Sequence, residues 1–475
     1  MSNASYNNRM KGEHVLVAQE SRSLKFTTNG IRGIANVDLT PATCTRIGQS
    51  MGTYLGGGKV LVGTDYRVSG AMVKSGLVAG LLGSGVNVED AGFTPTPALQ
   101  KYIKDTARFD MGLMITASHN PPEFNGIKVI DRDGIELPAS KEREIESIFN
   151  NEVPGFSLPE WNGMGLLEHN PDIVKYYRKR IGEVIPIDGH GARDIHVVVD
   201  PGNGIACSYF KELLDDIGVR VTSIFDEPDG TFPNRVSEPT PRSLEQLKDA
   251  IVKERASFGI GFDGDGDRAI FIDDKGVFHW GDESFAVILN HLLETYKGWV
   301  VTPVSSSMLV DEIVNARGAK LEWTKVGSIT VSRRMQELDA MIAGEENGGI
   351  FYTPFQPVRD GGVALALIIK ILVKRNVPLS ELFAELPKYH LHKETIKVEN
   401  YLKDDILARI KKVTSEERRT LIDGVKIFKD GGSVLIRPSG TEPKFRSFAD
   451  SKSMKGAIAL AKWGIKLVKE AMNSI

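Results

Sequence analysis

The chain has little that would suit a secreted, membrane-spanning or nucleic-acid-binding protein. Its only cysteines, Cys44 and Cys207, occur in 475 residues, which excludes a disulfide framework and indicates a reducing cytoplasm with both thiols as core residues. Aromatic content is 8%, net charge is only -3, and no long Lys/Arg run marks a nucleic-acid or membrane-surface partner. No apolar signal segment opens the chain. We therefore expect a soluble, cytoplasmic protein that binds small polar metabolites.

The chain also lacks a long hydrophobic run. The longest apolar stretch covers residues 363–373 and is interrupted by Lys370, so it cannot span a bilayer. We predict a buried helix there instead.

What the sequence does have is enough length and hydrophobic content for several cores. A chain of 475 residues with 41% hydrophobic residues exceeds what one core sustains, so three or four domains are expected. Short β runs alternate with helical patterns, as in KVLVGTD followed by AMVKSGLVAGLLGSG, which indicates βα units with largely parallel, buried sheets. From Tyr389 onward the pattern changes to short strands, a hairpin-like GVKIFKDGGSVLIR and a terminal amphipathic helix from Met454 to Met472.

The predicted fold class is therefore α/β, with three similar mixed α/β domains followed by a smaller α+β domain. Pro/Gly-rich and turn-rich segments separate the repeats. We expect a flexible N-terminal tail and four domains, at residues 1–24, 25–157, 158–276, 277–388 and 389–475.

Polar loops that follow apolar strands deserve most weight, because ligands in α/β sheets collect outside the carboxyl ends of strands. The first such loop follows MGLMIT and contains Ser118, flanked by His119 and preceding Lys128 by ten residues. A strand-end serine beside basic groups can be a nucleophile, whereas an isolated loop serine is more often a turn or cap. No GxSxG elbow surrounds Ser118, so acyl transfer on an α/β-hydrolase scaffold is not supported.

The second loop, DGDGDR, follows the strand FGIGF and places Asp263, Asp265 and Asp267 at alternate positions. Alternation in an extended loop points the three carboxylates one way. Their mutual repulsion predicts a hard cation, and oxygen-only ligands suit Mg²⁺. A calcium EF-hand is excluded, because Arg268 and Asp274 stand where it needs Gly and Glu. Arg268 would instead face a phosphate beside the metal.

Two further loops offer ligands for a sugar and for an anion. GEENGG, residues 344–349, sets Glu345, Glu346 and Asn347 among glycines. Such groups bind vicinal hydroxyls, although a polar surface turn is the simpler alternative. RPSGTEPKFR follows the strand SVLI and would form an oxyanion cradle; it is neither a Walker A loop nor a GxGxxG, so no nucleotide is implied. The cradle residues are Arg437, Ser439, Gly440, Thr441, Lys444 and Arg446.

Taken in order, TASHNP, DGDGDR, GEENGG and RPSGTEP resemble the phosphoserine, metal, sugar-binding and phosphate-binding loops of the α-D-phosphohexomutase family. That family contains phosphoglucomutases, phosphomannomutases and phosphoglucosamine mutases, and the resemblance spans nearly the whole chain from Lys25. It implies four domains around a central cleft, with one loop from each. It also implies an isomerase that interconverts hexose 1-phosphate and hexose 6-phosphate, of glucose and/or mannose, with one Mg²⁺ and a hexose 1,6-bisphosphate intermediate.

Three alternatives stay open beside this resemblance. They are a phosphoglucosamine mutase, a phosphatase or bisphosphate synthase that uses the same phosphoserine, and a non-catalytic protein that binds sugar phosphates. The last is disfavoured because Ser118 and all three aspartates are present. The preferred hexose and the oligomeric state are not determined by the sequence.

The resemblance also implies residue roles, with two departures. Gly349 stands where many relatives carry His, so histidine-dependent acid/base chemistry at that position is absent, and Asn29 stands where Ser or Asp is frequent. By this resemblance the catalytic residues are Ser118, Lys128, Arg32 and His119; the substrate-binding residues are Arg268, Lys325, Glu345, Asn347, Arg437, Ser439, Gly440, Thr441 and Lys444; and the metal ligands are Ser118, Asp263, Asp265 and Asp267.

Overall fold

The computed structural model describes residues 30–152, 155–439 and 442–474. The tail predicted at residues 1–24, and Gly440 and Thr441 of the predicted cradle, lie outside the described residues. Within the described ranges, no helix is long and apolar enough to cross a membrane.

The first unit is a six-stranded sheet flanked by helices. Its elements are β1 (Ile31–Ile34), α1 (Pro41–Leu55), β2 (Lys59–Thr64), α2 (Gly70–Gly83), β3 (Asn87–Phe93), α3 (Thr96–Thr106), β4 (Met111–Ile115), β5 (Phe124–Asp131), α4 (Ala139–Phe149) and β6 (Leu167–His169). The strand order is β1-β5-β4-β2-β3-β6. Because β6 pairs with β3, this sheet extends past the boundary predicted at residue 157, and the domain boundaries stay predictions.

The second unit has a five-stranded sheet in the order β11-β10-β9-β7-β8. Its central strand β9 is an apolar run that is buried throughout, as expected for a strand covered on both faces. Its elements are α5 (Ile173–Val184), α6 (Gly189–Ala192), β7 (His196–Asp200), α7 (Phe210–Ile217), β8 (Arg220–Ser223), α8 (Glu245–Glu254), β9 (Phe258–Phe262), β10 (Ala269–Asp273) and β11 (Phe278–His279).

The third unit repeats this plan, with the strand order β13-β12-β14-β15-β16. Its elements are α9 (Gly281–Leu292), β12 (Trp299–Pro303), α10 (Met308–Ala316), β13 (Lys320–Thr324), α11 (Ser328–Leu338), β14 (Ile342–Gly344), β15 (Ile350–Tyr352), β16 (Gln356–Arg359), α12 (Gly361–Arg375) and α13 (Leu379–Ala384). The apolar stretch 363–373 lies within α12, which is buried over most of its length. The prediction of a buried helix is confirmed.

The fourth unit is an antiparallel sheet in the order β17-β21-β20-β19-β18. Its elements are β17 (His390–Lys397), α14 (Lys403–Val413), β18 (Arg419–Thr420), β19 (Val425–Lys429), β20 (Gly432–Pro438), β21 (Lys444–Ser451) and α15 (Met454–Asn473). The predicted hairpin is β19–β20, whose turn residues Asp430 and Gly431 both have positive φ, 54° and 71°, as a tight two-residue turn requires. The predicted terminal helix is α15.

The first three sheets are mixed rather than largely parallel. In each of them a parallel core is followed by an antiparallel return strand: β4 to β5, β9 to β10 and β14 to β15. The reason is loop length, because a short loop can join only antiparallel neighbours, while a parallel crossover needs a dozen residues or more.

The two cysteines are both free, but they differ in burial. Cys44 is buried, whereas Cys207 is partly exposed.

Candidate active site

Ser118 lies in the loop that joins β4 to β5, and its side chain is buried. Its φ of 50° falls in the left-handed region, which is unfavourable for a residue with a side chain. Its Oγ donates a hydrogen bond to Asp263 Oδ2 at 2.8 Å and lies 3.4 Å from Nδ1 of His119. The predicted nucleophile therefore touches the predicted metal loop.

The three aspartates lie in the loop between β9 and β10. One oxygen from each of Asp263, Asp265 and Asp267 lies within 4.8 Å of the others. The serine loop packs so closely on Gly264 that a Cβ there would stand 2.4 Å from the carbonyl oxygen of Ser118. Burial, reinforced by the charges of Asp267 and Asp265, raises the pKa of Asp263 to about 8. The arrangement thus buries three carboxyl groups together, and their mutual repulsion opposes the ionisation of Asp263.

This donor set fits a hard divalent cation. Asp265 Oδ1 and Asp267 Oδ1 are buried without a hydrogen-bond partner among the described residues, a costly state for a carboxylate oxygen. The converging ligands are oxygens only, which suits Mg²⁺ better than zinc or copper. The residues therefore fit the predicted Mg²⁺.

Two cations hold the other oxygen of Asp265 and of Asp267. Lys128 Nζ donates to Asp265 Oδ2 at 2.6 Å and to Asp267 Oδ2 at 2.8 Å. Arg359 donates to Asp267 Oδ2 at 2.6 Å and lies 3.5 Å from Glu345 Oε2. Burial would raise the pKa of Asp265, but Lys128 overrides it and holds that pKa below its usual value.

Lys128 is itself held in its charged form. Burial opposes its charge, yet Asp265 and Asp267 outweigh burial and raise the pKa of Lys128. An ammonium can donate a proton or neutralise charge, but it cannot accept a proton. The structure thus places Lys128 against the aspartates as a fixed cation.

Arg32 and Arg268 keep donors open beside Ser118. Arg32 donates to Asn120 Oδ1 at 2.5 Å, while its Nε and second terminal nitrogen have no partner in the described part of the chain. Burial lowers the pKa of Arg32 to about 10, which leaves it charged at neutral pH. Arg268 Nε lies 3.7 Å from Asp267 Oδ1, beyond hydrogen-bond distance. Buried guanidinium donors without partners suit a phosphate dianion.

His119 lies among these positive groups, which disfavour its protonated form. The charge of Arg268, followed by burial, lowers the pKa of His119 to about 2. A neutral imidazole can accept a proton but cannot serve as a general acid.

The predicted sugar-binding loop is the turn between β14 and β15. Its backbone is closed by the N–H of Glu345, which donates to the carbonyl of Gly349 at 2.9 Å, and Asn347 Oδ1 accepts the N–H of Gly349 at 3.2 Å. Glu346 Oε2 lies 3.1 Å from Nζ of Lys393, which reaches across from β17. A cavity of about 150 Å³ adjoins this loop and is lined by Glu238, Pro239, Thr240, Ile270, Trp280, Glu346, Asn347 and Lys393.

The described part of the predicted phosphate cradle lies at the end of β20, in the loop after it and at the start of β21. A terminal nitrogen of Arg437 lies 3.3 Å from Asp423 Oδ2, and burial lowers the pKa of Arg437. Ser439 Oγ accepts the N–H of Glu442 at 3.3 Å, and Lys444 Nζ donates to Glu442 Oε1 at 2.8 Å. Lys444 is thus paired with a carboxylate rather than open.

The predicted residues fall into two groups. The first surrounds Ser118 and the aspartates and reaches Glu345 through Arg359. The second group belongs to the fourth unit. The loop that contains Lys325 contacts this group, because the N–H of Val326 donates to Asp423 Oδ2 at 3.2 Å. The side chain of Lys325 is exposed. The pair Glu346–Lys393 links the sugar-binding loop to the fourth unit.

Sequence reasoning missed three residues that hold the site together. Arg359 ends β16, Thr96 donates to Asp265 Oδ2 at 2.5 Å, and Arg67 bonds the carbonyls of the serine loop. Arg67 follows β2 within GTDYR and Arg359 ends a strand, so the strand-end criterion that selected Ser118 could have selected both.

Comparison with known proteins shows that four domain models of one protein family match successive parts of the chain. The family models are described as phosphoglucomutase/phosphomannomutase, alpha/beta/alpha domain I over residues 23–154, domain II over residues 175–276, domain III over residues 280–389, and C-terminal domain over residues 394–459.

Individual proteins show the same similarity. A phosphoglucomutase/phosphomannomutase from Thermococcus kodakarensis is 40% identical over 94% of this chain and 99% of its own length. A phosphoglucosamine/phosphogalactosamine mutase from Sulfurisphaera tokodaii is 38% identical over 90% of this chain and 95% of its own. A solved phosphoglucomutase/phosphomannomutase family protein from Burkholderia thailandensis has a TM-score of 0.84 at 24% identity, covering 96% of this chain and 98% of that one.

Proposed function

This chain belongs to the phosphoglucomutase/phosphomannomutase family of isomerases, and we propose that it interconverts the 1-phosphate and 6-phosphate of glucose and/or mannose. The reaction would pass through phospho-Ser118 and a hexose 1,6-bisphosphate. The observation that carries the proposal is the hydrogen bond of 2.8 Å from Ser118 Oγ to Asp263, because it sets a buried hydroxyl against a cluster of carboxylates suited to Mg²⁺. A cytoplasmic location remains a prediction.

In the first transfer, a free sugar hydroxyl attacks the phosphorus of phospho-Ser118. The new O–P bond forms as the bond from phosphorus to Ser118 Oγ breaks, and the sugar proton passes to the serine oxygen, so that atoms and charge balance. The resulting serine hydroxyl is the species that donates to Asp263 in this structure. The second transfer reverses these steps at the other end of the bisphosphate.

The residues around Ser118 contribute position and charge. Arg32 and Arg268 would bind phosphoryl oxygens with donors that are unpartnered among the described residues. Lys128 and Arg359 fix the aspartates. Mg²⁺ held by the three aspartates and a phosphoserine oxygen would neutralise charge on the transferred group.

The sugar must bind in two poses for both ends to react. We assign its hydroxyls to Glu345 and Asn347, with Lys325 on the sugar side. The phosphate that does not react would occupy one cradle in either pose. That cradle comprises Arg437, Ser439, Gly440, Thr441 and Lys444.

Mass spectrometry and mutagenesis test the proposal together. Active protein should carry one phosphate, which peptide mapping should locate on Ser118, and Ser118→Ala should have no mutase turnover. Full turnover by Ser118→Ala would refute the phosphoserine mechanism. Measuring released inorganic phosphate beside the isomer distinguishes a mutase from a phosphatase.

The second candidate is a phosphoglucosamine mutase. It is favoured by the 38% identity to the phosphoglucosamine/phosphogalactosamine mutase. A coupled assay over glucose, mannose and glucosamine 1-phosphates decides between the two, since a preference of several orders of magnitude for the amino sugar would displace the first candidate.

A further inference from the structure

The serine loop is held by one buried side chain that no sequence motif marked. The guanidinium of Arg67 donates to four carbonyls of the loop. Its two terminal nitrogens reach the carbonyl oxygens of Ser118 at 2.8 Å, Asn120 at 2.7 Å, Pro121 at 2.7 Å and Phe124 at 3.0 Å.

This loop needs external support because its own backbone supplies little. Among the described residues, the backbone hydrogen bonds between Ser118 and Phe124 run from the N–H of Asn120 to Ala117, from the N–H of Phe124 to Pro121 and from the N–H of Ala35 to Glu123. Ser118 also keeps a φ of 50°, and such a conformation persists only where the surroundings over-determine it. The bonds from Arg67 satisfy the carbonyls of Ser118 and Asn120, to which no backbone N–H of the described residues donates.

Arg67 is itself fixed by a closed ring of hydrogen bonds. Its Nε forms an ion pair with Asp65 Oδ2 at 3.3 Å that lacks hydrogen-bond geometry, and its backbone N–H donates to Asp65 Oδ1 at 3.0 Å. Thr116 Oγ1 donates to Asp65 Oδ2 at 2.6 Å and accepts the N–H of Ser118 at 2.9 Å. The ring therefore holds Ser118 by both its N–H and its carbonyl. Asp65, Arg67 and Thr116 are all buried, so water does not compete for these bonds.

The second unit also contacts the loop. Ser237 Oγ lies 3.3 Å from the carbonyl oxygen of Ser118 and 3.2 Å from that of Asn120. The carbonyls of Ser118 and Asn120 are thus held both by Arg67 of the first unit and by Ser237 of the second.

We propose that Arg67 is the positioning residue that aims Ser118 Oγ at Asp263, with Ser237 as its weaker counterpart. The inference rests on the proposed function, because it assigns Arg67 a role in phosphoryl transfer. Arg67 would act through Ser118 without contacting the substrate. Its loss should therefore slow transfer and leave substrate binding unchanged.

Arg67→Lys is the test, because it keeps the charge and loses the planar fork that reaches four carbonyls. We expect kcat to fall on the order of 100-fold, as for a misplaced reacting group. KM for hexose phosphate and Kd for Mg²⁺ should each stay within about twofold, the scatter expected for a residue outside both binding sites. The ³¹P resonance of phospho-Ser118 should also shift, since it reports the local setting of the phosphate.

The matched control is Arg46→Lys. Arg46 makes a guanidinium-to-carbonyl bond in the same unit, to Phe149 at 2.6 Å, away from the serine loop. It should keep the wild-type kcat and ³¹P resonance. A folded Arg67→Lys protein with wild-type kcat would overturn the proposal, and so would an equal loss in Arg46→Lys.

Ser237→Ala keeps the proposal testable if Arg67→Lys does not fold. It should lower kcat about three- to tenfold, as expected for one neutral hydrogen bond, and leave KM unchanged. A wild-type kcat in Ser237→Ala would then contradict the proposal. Failure of the proposed function is a different result, namely turnover by Ser118→Ala.

Discussion

At the scale of single residues, Arg359 joins two loops that sequence reasoning treated separately. It bonds Asp267 of the metal loop and pairs with Glu345 of the sugar-binding loop, and all three side chains are buried. Arg359→Met leaves two buried carboxylates with less compensating charge. We expect a loss of about 3–5 kcal/mol in the free energy of unfolding, the usual cost of breaking a buried pair. Urea unfolding followed by fluorescence measures it.

Arg334→Met is the control for that substitution. Arg334 pairs with Glu322 and Glu337 at the surface, and such pairs contribute little to stability. The unfolding midpoint should not move. If the two variants unfold alike, Arg359 does not hold the two loops together.

Asp265→Asn tests the metal site. It removes one of the three converging carboxyl groups, and we expect Kd for Mg²⁺ to rise about 10- to 100-fold, since even supporting groups of a metal site have effects of that size. Calorimetric titration of the dephosphorylated protein measures it. Asp273→Asn makes the same change at the end of β10 and should leave Kd unaltered. Equal affinities in wild type and Asp265→Asn would contradict the assignment.

These residues show what the sequence can and cannot predict. Ser118 and the three aspartates are identifiable from the sequence because each set lies in a short polar loop that directly follows an apolar strand. Arg359 and Asp267 are 92 positions apart, and Arg67 and Ser118 are 51 apart. Such partners meet only through the fold, so local spacing identifies neither pair. The same limit hid the ion pairs of Lys128, whose carboxylate partners belong to another unit.

At the scale of elements, all four predicted loops join consecutive antiparallel strands: β4–β5, β9–β10, β14–β15 and β20–β21. The alternation of strand and helix patterns predicted the parallel part of each sheet correctly. It could not show that the return strands are antiparallel, because a buried strand has the same apolar pattern whether it is parallel or antiparallel to its neighbour. A tight return keeps each loop short and its side chains close to the sheet edge, which is how four distant segments present compact polar clusters.

The first turn of α9 contains an acid whose titration should be visible in stability. Asp282 is buried, and burial, reinforced by Glu346, raises its pKa to about 7. The folded protein thus retains a proton that the unfolded chain releases near pH 4. Between those pH values stability falls as pH rises, because the folded state binds more protons than the unfolded state.

Asp282→Asn should remove this pH dependence. Asn can still accept the N–H of Ser307, which donates to Asp282 at 2.9 Å. Relative to wild type, the variant should gain about 2–3 kcal/mol in unfolding free energy between pH 5 and pH 8. Thermal melts across that range measure the gain. If the difference in unfolding free energy between Asp282→Asn and wild type is the same at pH 5 and pH 8, the assignment is refuted.

At the scale of the whole molecule, the first three units share one continuous hydrophobic core that includes Tyr177, Phe262 and Phe355. The fourth unit has its own hydrophobic core. Among the described residues, polar contacts join the fourth unit to the third. Asp450 accepts hydrogen bonds from Ser307 Oγ at 3.0 Å and from the N–H of Met308 at 2.6 Å. The fourth unit is therefore the one whose position depends on polar contacts.

Lys393→Met tests the contact nearest the sugar-binding loop. Lys393 pairs with Glu346 and lies 4.8 Å from the ring centre of Trp280. Without its charge the fourth unit should close less firmly on a bound intermediate. We expect turnover to depend more strongly on added hexose 1,6-bisphosphate. The concentration of bisphosphate needed for activation should rise a few-fold, the effect expected when one partly exposed ion pair is lost. Lys397→Met, an exposed change on the same strand, should match wild type.

The pair Glu346–Lys393 also bears on processivity. Under the proposed mechanism the bisphosphate must turn end over end between two transfers at the same serine, and during that time it is bound to the enzyme only noncovalently. Two outcomes compete at each cycle, completion of the turn and escape to solvent. Escape leaves a dephosphorylated enzyme that cannot begin another cycle until a bisphosphate returns. The number of cycles completed per priming event is then set by how long the third and fourth units stay together, which depends on side chains that never touch the transferred group.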